Sequence, residues 1–334
     1  MRKIPRVSFV IPTLNASSIL PRCLKTIREQ NYPQKKVEII IADGGSTDNT
    51  LEIAKKYGAL TINNPKILHE PGKSLASRIA KGELIFYTDA DNILAHKDWL
   101  NLMVKPYLEN PDILGFLPQT EPPPDSSSLN RYLGYLFTDP FSWFVYGNSA
   151  NPKDYDKVFK PLKETRDYKI YKFDIHNHPL FGLSQGVGTS SKFKRDEIGE
   201  SDDLLAGIKL IKEGGIIAYV PKAGVYHYHV NGLSDFLRKY RWRIRNNLTQ
   251  KIKGMGFINR EKFLNSTRRV KSYLFIPYSL TLFFPLIDAV RLSIKYKDSV
   301  MLWHFIISIF LAILIFYEAL LTLFFRKEPA KVYG

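Results

Sequence analysis

The sequence predicts an α/β protein: a mainly parallel β-sheet covered by helices on both faces, followed by an amphipathic helix and apolar helices near the C-terminus. Three observations predict it. Short apolar runs alternate with stretches of helical period across residues 6–117, acidic residues stand at the ends of several runs, and long apolar stretches follow a basic block after residue 231. With 334 residues and an apolar fraction of 45%, the chain can build one large core and a smaller appendage.

Arg6-Val-Ser-Phe-Val-Ile-Pro12 reads as a buried strand, followed by a helix from Ser17 to Gln30 in which Pro21 is tolerable because it falls in the first turn. Cys23 lies on that helix's apolar face with Leu20, Leu24 and Ile27, so it reads as a small core residue. As the only cysteine it makes no intrachain disulfide. Val37–Asp43 is a second buried strand, and Ser46-Thr47-Asp48 caps a helix running towards Tyr57. A strand at Ala59 to Ile62, a helix at Lys73 to Ala80 and a strand at Leu84 to Thr88 follow, then a helix at Lys97 to Glu109 and a strand at Ile113 to Leu117. Ligands of such sheets bind beyond the carboxyl ends of the strands, where Asp43, Asp89 and Asp91 fall. From residue 119 to 181 the rhythm breaks into a Pro/Ser loop and an aromatic-rich insertion, read either as a satellite core or as an acceptor-side or membrane-contacting flap.

The formal charge of +16 is concentrated: residues 231–271 hold twelve basic residues against Asp235 and Glu261, a local balance of +10. Directly before a hydrophobic tail, this block suits an anionic bilayer face rather than nucleic acid. Val300 to Phe325 is long enough for a membrane helix, and about 273–293, with Pro277, Pro285 and Asp288, either spans or lies at the interface. No apolar run of signal-peptide length opens the sequence, so the N-terminal domain is expected to stay in the cytoplasm.

Asp89-Ala-Asp91 offers two carboxylates at a strand end, a spacing that lets both reach one hard cation bridging phosphate oxygens. Asp43-Gly-Gly-Ser-Thr-Asp48 gives a tight turn where a ligand can approach the backbone, without the lysine of a P-loop or the glycine spacing of a dinucleotide-binding turn. Val225-Tyr-His-Tyr-His229 sets His227 and His229 on one face of a strand, and Ser234 to Gln250 reads as an interfacial amphipathic helix carrying Arg238-Lys-Tyr-Arg-Trp242.

Together Val7–Asn15, Ile39–Asp48, Lys81–Asp91 and Glu200-Ser-Asp-Asp-Leu204 with Gly214-Gly215 resemble glycosyltransferase family 2, the inverting enzymes with a GT-A (Rossmann-like) fold. The resemblance implies a catalytic domain over 1–230, a basic juxtamembrane segment over 231–271 and membrane segments with a tail over 272–334. It implies that Pro12, Thr13, Asn15 and Asp43 line the nucleotide pocket, that Asp89 lies near ribose and metal, and that Asp91, with His227, ligates Mg²⁺ or Mn²⁺. Asp203 or Asp202 would be the general base, Arg241 a diphosphate contact and Trp242 an acceptor contact; a membrane-surface role for Arg241 and Trp242 stands equally. The implied activity moves sugar from a nucleotide-sugar donor, UDP-linked first, to a lipid or lipid-linked acceptor at the cytoplasmic face of the cell membrane. A polyprenyl-phosphate sugar synthase is the second enzyme reading, and a membrane-anchored binding protein on a degenerate transferase fold is the non-enzyme one.

Overall fold

The computed structural model describes residues 3–195, 203–249 and 260–325. The chain forms two compact units, Met1–Thr120 with Val158–His227, and Glu121–Lys157 with Tyr228–Gly334.

The first unit is built on one mixed sheet. Its strands are β1 (Val7–Thr13), β2 (Val37–Asp43), β3 (Leu60–Asn63), β4 (Leu84–Tyr87), β5 (Asn92–Leu94), β6 (Ile113–Glu121), β7 (Lys163–Glu164), β8 (Lys169–Lys172), β9 (Val187–Ser190) and β10 (Ile216–His227). They lie in the order β3-β2-β1-β4-β9-β6-β10-β8-β7, with β5 paired to β10. The run β3-β2-β1-β4 is parallel, as the alternating pattern predicts. Strands β9, β8 and β7 pair antiparallel, so the sheet is mixed beyond β4. These strands are only two to four residues long, too short to leave a readable period-2 pattern. All seven residues of β1 are buried, as befits a strand covered on both faces.

Helices α1 (Leu20–Arg28), α2 (Thr50–Lys56), α3 (His69–Ile79), α4 (Trp99–Glu109) and, later in the chain, α7 (Asp203–Lys212) belong to this unit. Leu20, Cys23, Leu24 and Ile27 of α1 are fully buried at i, i+3, i+4 and i+7, and each of the larger side chains contributes about 1.5–3 kcal/mol through burial. Expected and observed helix ends differ by a few residues. The second helix starts at Thr50 because Asp48, instead of capping from within, accepts hydrogen bonds from the Ser17 and Thr50 amides.

The second unit is helical: α5 (Ser128–Leu136), α6 (Pro140–Tyr146), α8 (Leu233–Thr249), α9 (Ser266–Leu280), α10 (Phe283–Tyr296) and α11 (Trp303–Phe325). The stretch 119–181 is thus shared between the units, and its aromatic part joins a core containing Tyr132, Leu136, Phe236, Phe275, Ile307 and Leu311. Ser127 and Asp139 start α5 and α6 by accepting from the Asn130 and Ser142 amides. The apolar stretch 273–293 is not one straight helix; α9 and α10 meet at a bend of 96°. Arg268, counted in the basic block, is 6% exposed, with its guanidinium on Ser149 Oγ at 2.9 Å and over the Tyr146 ring, so it adds no surface charge. Lys251 and Lys253 of the same block lie outside the described residues.

Candidate active site

The parallel register sets Thr13 beside Asp43 at the carboxyl ends of β1 and β2. Asp43 Oδ1 accepts from Thr13 Oγ1 at 3.0 Å and Ser46 Oγ at 2.5 Å, while Oδ2 accepts from the amides of Gly45 and Ser46 at 2.9 and 2.8 Å. Burial alone would raise the Asp43 carboxyl, but the donors on Ser46, Gly45 and Thr13 outweigh it and hold the group below the usual carboxylate range. Gly45, at φ +95°, lets the chain fold back so that its amide points at the carboxylate. Asn15, at φ +48°, ties β1 to the same turn: its amide donates to Ser46 Oγ and its side-chain oxygen accepts from the Thr47 amide. Of the four nucleotide-pocket candidates, Thr13, Asn15 and Asp43 are thus tied to one turn, with Pro12 next to Thr13 on β1, and Asp43 organises that turn with all its acceptor sites in use.

Beyond β4 the two aspartates turn to different partners. Asp89 Oδ1 lies 2.9 Å from Lys73 Nζ, and the Lys73 ammonium also donates to Glu70 Oε1 at 3.1 Å. Lys73 is 2% exposed. Burial would lower its pKa, yet the charges of Asp89, Glu70 and Asp203 raise it, so the amine stays protonated. Arg195 completes this cluster by pairing with Glu70 and lying over the Tyr87 ring at 4.9 Å. Burial disfavours the guanidinium charge, and Glu70, with Tyr87 and Asp203, more than offsets that.

Asp91 turns the other way, its Oδ2 lying 3.4 Å from His227 Nε2. The antiparallel pairing of His227 with Asn92 brings β10 to this edge, and Asn92 Nδ2 donates to Asp91 Oδ1 at 3.1 Å. Of the three metal candidates, Asp91 and His227 come together, and Asp89 lies with Lys73. Among the described residues no three His, Cys, Asp or Glu side chains form a cage by themselves. The Asp91 carboxylate suits Mg²⁺ or Mn²⁺, since such ions take one or two carboxylates and complete their shell with water and phosphate oxygens, while the His227 imidazole beside it fits the softer Mn²⁺ better than Mg²⁺. Cys23 sits close behind: burial first, then the charges of Asp91 and Asp89, push its thiol well up and leave it inert.

Asp203 opens α7, where the helix N-terminus favours a carboxylate. Its Oδ2 accepts from Ser184 Oγ at 2.8 Å, and a Cβ at Gly182 would meet that oxygen at 2.7 Å, so glycine admits the carboxylate. Asp202 lies outside the described residues. Arg241 and Trp242 belong to the second unit: Arg241 Nε lies 2.8 Å from Glu318 Oε1, and Trp242 is 6% exposed.

Residues 8–160 match the family model described as Glycosyl transferase family 2. The chain carries a family 2 glycosyl transferase domain. The glycosyltransferase AglE of Haloferax volcanii is 33% identical over 104 residues, 29% of this chain and 34% of AglE. The O-antigen chain rhamnosyltransferase RfbN of Salmonella typhimurium is 24% identical over 230 residues, 67% of either chain. The chain thus spans about a third of AglE and two thirds of RfbN. Among solved structures, the mannosyltransferase PcManGT of Pyrobaculum calidifontis, in complex with GDP-Man and Mn²⁺, superposes with TM-score 0.50 at 15% identity, covering 97% of this chain and 88% of its own. That likeness bears on the fold, in which the family 2 domain has the GT-A arrangement.

The sequence reading missed Glu70, Lys73, Ser184 and Arg195. A lysine three residues after a glutamate on a helix reads as a solvated surface pair; only the depth at which α3 lies turns Glu70 and Lys73 into part of the site.

Proposed function

We propose that the family 2 domain is a metal-dependent, inverting hexosyltransferase. It takes sugar from a nucleotide-sugar donor, UDP-linked first, to a lipid or lipid-linked acceptor at the cytoplasmic membrane face. The observation carrying this reading is the approach of Asp91 to His227 beyond the strand ends, with the Lys73 cluster linking Asp89 electrostatically to Asp203. Asp91 and His227 would hold the divalent cation, which supplies Lewis-acid neutralisation of the departing diphosphate. Thr13, Asn15 and the Asp43 turn shape the pocket for the nucleoside. Lys73 pairs with Asp89 and fixes it in place. Asp203, held by Ser184, accepts the proton of an acceptor hydroxyl, which makes direct displacement at the anomeric carbon feasible. A phosphate acceptor would need no such base, because it is already anionic.

The test is hydrolysis of UDP- and GDP-linked sugars by the full chain with Mg²⁺ or Mn²⁺, with and without chelator. Metal-dependent turnover of a UDP-sugar is expected. Turnover of no sugar nucleotide, or turnover indifferent to the chelator, would remove the assignment.

A further inference from the structure

Ser299–Thr322, 24 residues whose most apolar 18-residue stretch has a mean hydropathy of 2.5, is the described helix that is long and apolar enough to cross a bilayer. We infer that it lies along the membrane instead. On this inference the second unit is a monotopic platform that sinks the outward faces of α10 and α11 into one leaflet rich in anionic lipid. The inference rests on the second unit alone and stands independently of the proposed activity.

One side of α11 is committed to protein. His304, Ser308 and Glu318 are fully buried. His304 Nδ1 is bonded to Tyr132 OH at 3.0 Å, and the Trp143 ring stands edge-on to the imidazole at 4.6 Å. Farther along, Glu318 receives Arg241 and Arg245 of α8. Phe236 and Tyr240 of α8 share a core with Ile307 and Leu311, so α8 runs beside α11 over most of its length. That neighbour carries five basic residues in 17, with Arg238, Arg241 and Arg243 exposed. A crossing α11 would draw those cations into hydrocarbon, where charge is strongly disfavoured.

The other side is apolar and open. Leu302, Ile306, Phe310, Ile313, Leu320 and Phe324 are exposed at helical spacing. On α10, Phe283 (63%) and Ile294 (73%) stand out. The preceding α9 and α10 are 15 and 14 residues long and bent by 96°. At about 1.5 Å per residue neither arm reaches the roughly 30 Å of a hydrocarbon core. Arg291, 74% exposed and 3.6 Å from Asp288 Oδ1, lies one turn from Ile294 on α10, where its long stem can carry the guanidinium from that loose pair to headgroup phosphates. With five basic residues against Asp235 in its 17, and Glu318 of α11 taken up by two of them, α8 still leaves the unit a positive balance that suits an anionic leaflet.

Topology decides the matter. The full chain is bound to sealed vesicles of equal parts phosphatidylcholine and phosphatidylglycerol, and single variants Ser299→Cys and Gly334→Cys are treated with an impermeant maleimide from outside. Buried Cys23 is the silent background. The inference expects both sites to label before lysis; labelling of one only after lysis, or of neither before it, overturns the inference. A second readout uses Phe283→Asp and Ile294→Asp, both at exposed positions. Co-sedimentation with these vesicles should fall at least tenfold while circular dichroism is unchanged, and wild-type binding to pure phosphatidylcholine should be weaker. Undiminished binding of the aspartate variants, or equal wild-type binding to both vesicle types, would count against the platform.

Discussion

Asp43, a nucleotide-pocket candidate in the sequence, has in the fold a structural role of its own. It was legible as an acid at a strand end before a Gly-Gly turn; that it would accept four hydrogen bonds from its own surroundings was not, because Thr13 reaches it from 30 positions away. Asp43→Asn should cost about 1.5–3 kcal/mol of stability, the usual range for hydrogen bonds to a charged group. Because its folded pKa is depressed, this contribution is complete above the unfolded value of about 3.9 and is lost as the pH falls through the lower folded value. Chemical unfolding of both proteins should therefore show a gap that is constant near neutrality and shrinks only below about pH 4. Asp91→Asn should abolish turnover and weaken donor binding in the presence of metal, checked by calorimetric titration; an unaltered metal-dependent affinity would take Asp91 out of the site. For Asp203→Asn a different split is expected. Donor affinity should hold while kcat on a hydroxyl acceptor drops roughly 10²–10⁴-fold, since a base acts in the transition state. Full activity would move the role to Asp202.

At the scale of elements, the strands of the parallel half were readable because burial on both faces writes continuous apolar runs, as in β1 and β2. The antiparallel half was not, because β7, β8 and β9 are fixed by their partners rather than by their own pattern. Helix α3 shows a similar limit. Glu70, Lys73 and Ser74 are polar by type and yet buried, and the charges of Glu70 and Lys73 are met there by Asp89 and Arg195. Replacing Lys73 with Met should cost about 3–5 kcal/mol, since buried Glu70 and part-buried Asp89 lose the cation they share. Pairing it with Glu70→Gln should cost less than the sum of the two single changes. Thermal denaturation of the three variants gives the comparison, and strict additivity would show that the charges do not act as one cluster.

For the molecule as a whole, the apolar C-terminal stretch was visible in composition, but its role inside a folded unit depends on contacts with residues 121–157, far earlier in the chain. A chain cut after Asn231 is therefore not simply freed of an anchor. It leaves Tyr132, Leu133 and Leu136 without Phe236, Phe275, Ile307 and Leu311, and it should aggregate or show exposed apolar surface by dye binding. Recovery of a stable, dye-silent monomer would mean that 121–157 holds together alone. The same interleaving bears on biosynthesis. Tyr132 and the His304 that caps its hydroxyl are 172 residues apart, so at about 5–20 residues per second the ribosome releases the first roughly 10–30 s before the second. Throughout that interval the aromatic helices α5 and α6 exist without their partners, and the apolar side chains that will meet Phe236, Phe275 and Ile307 stay open to water and to other chains.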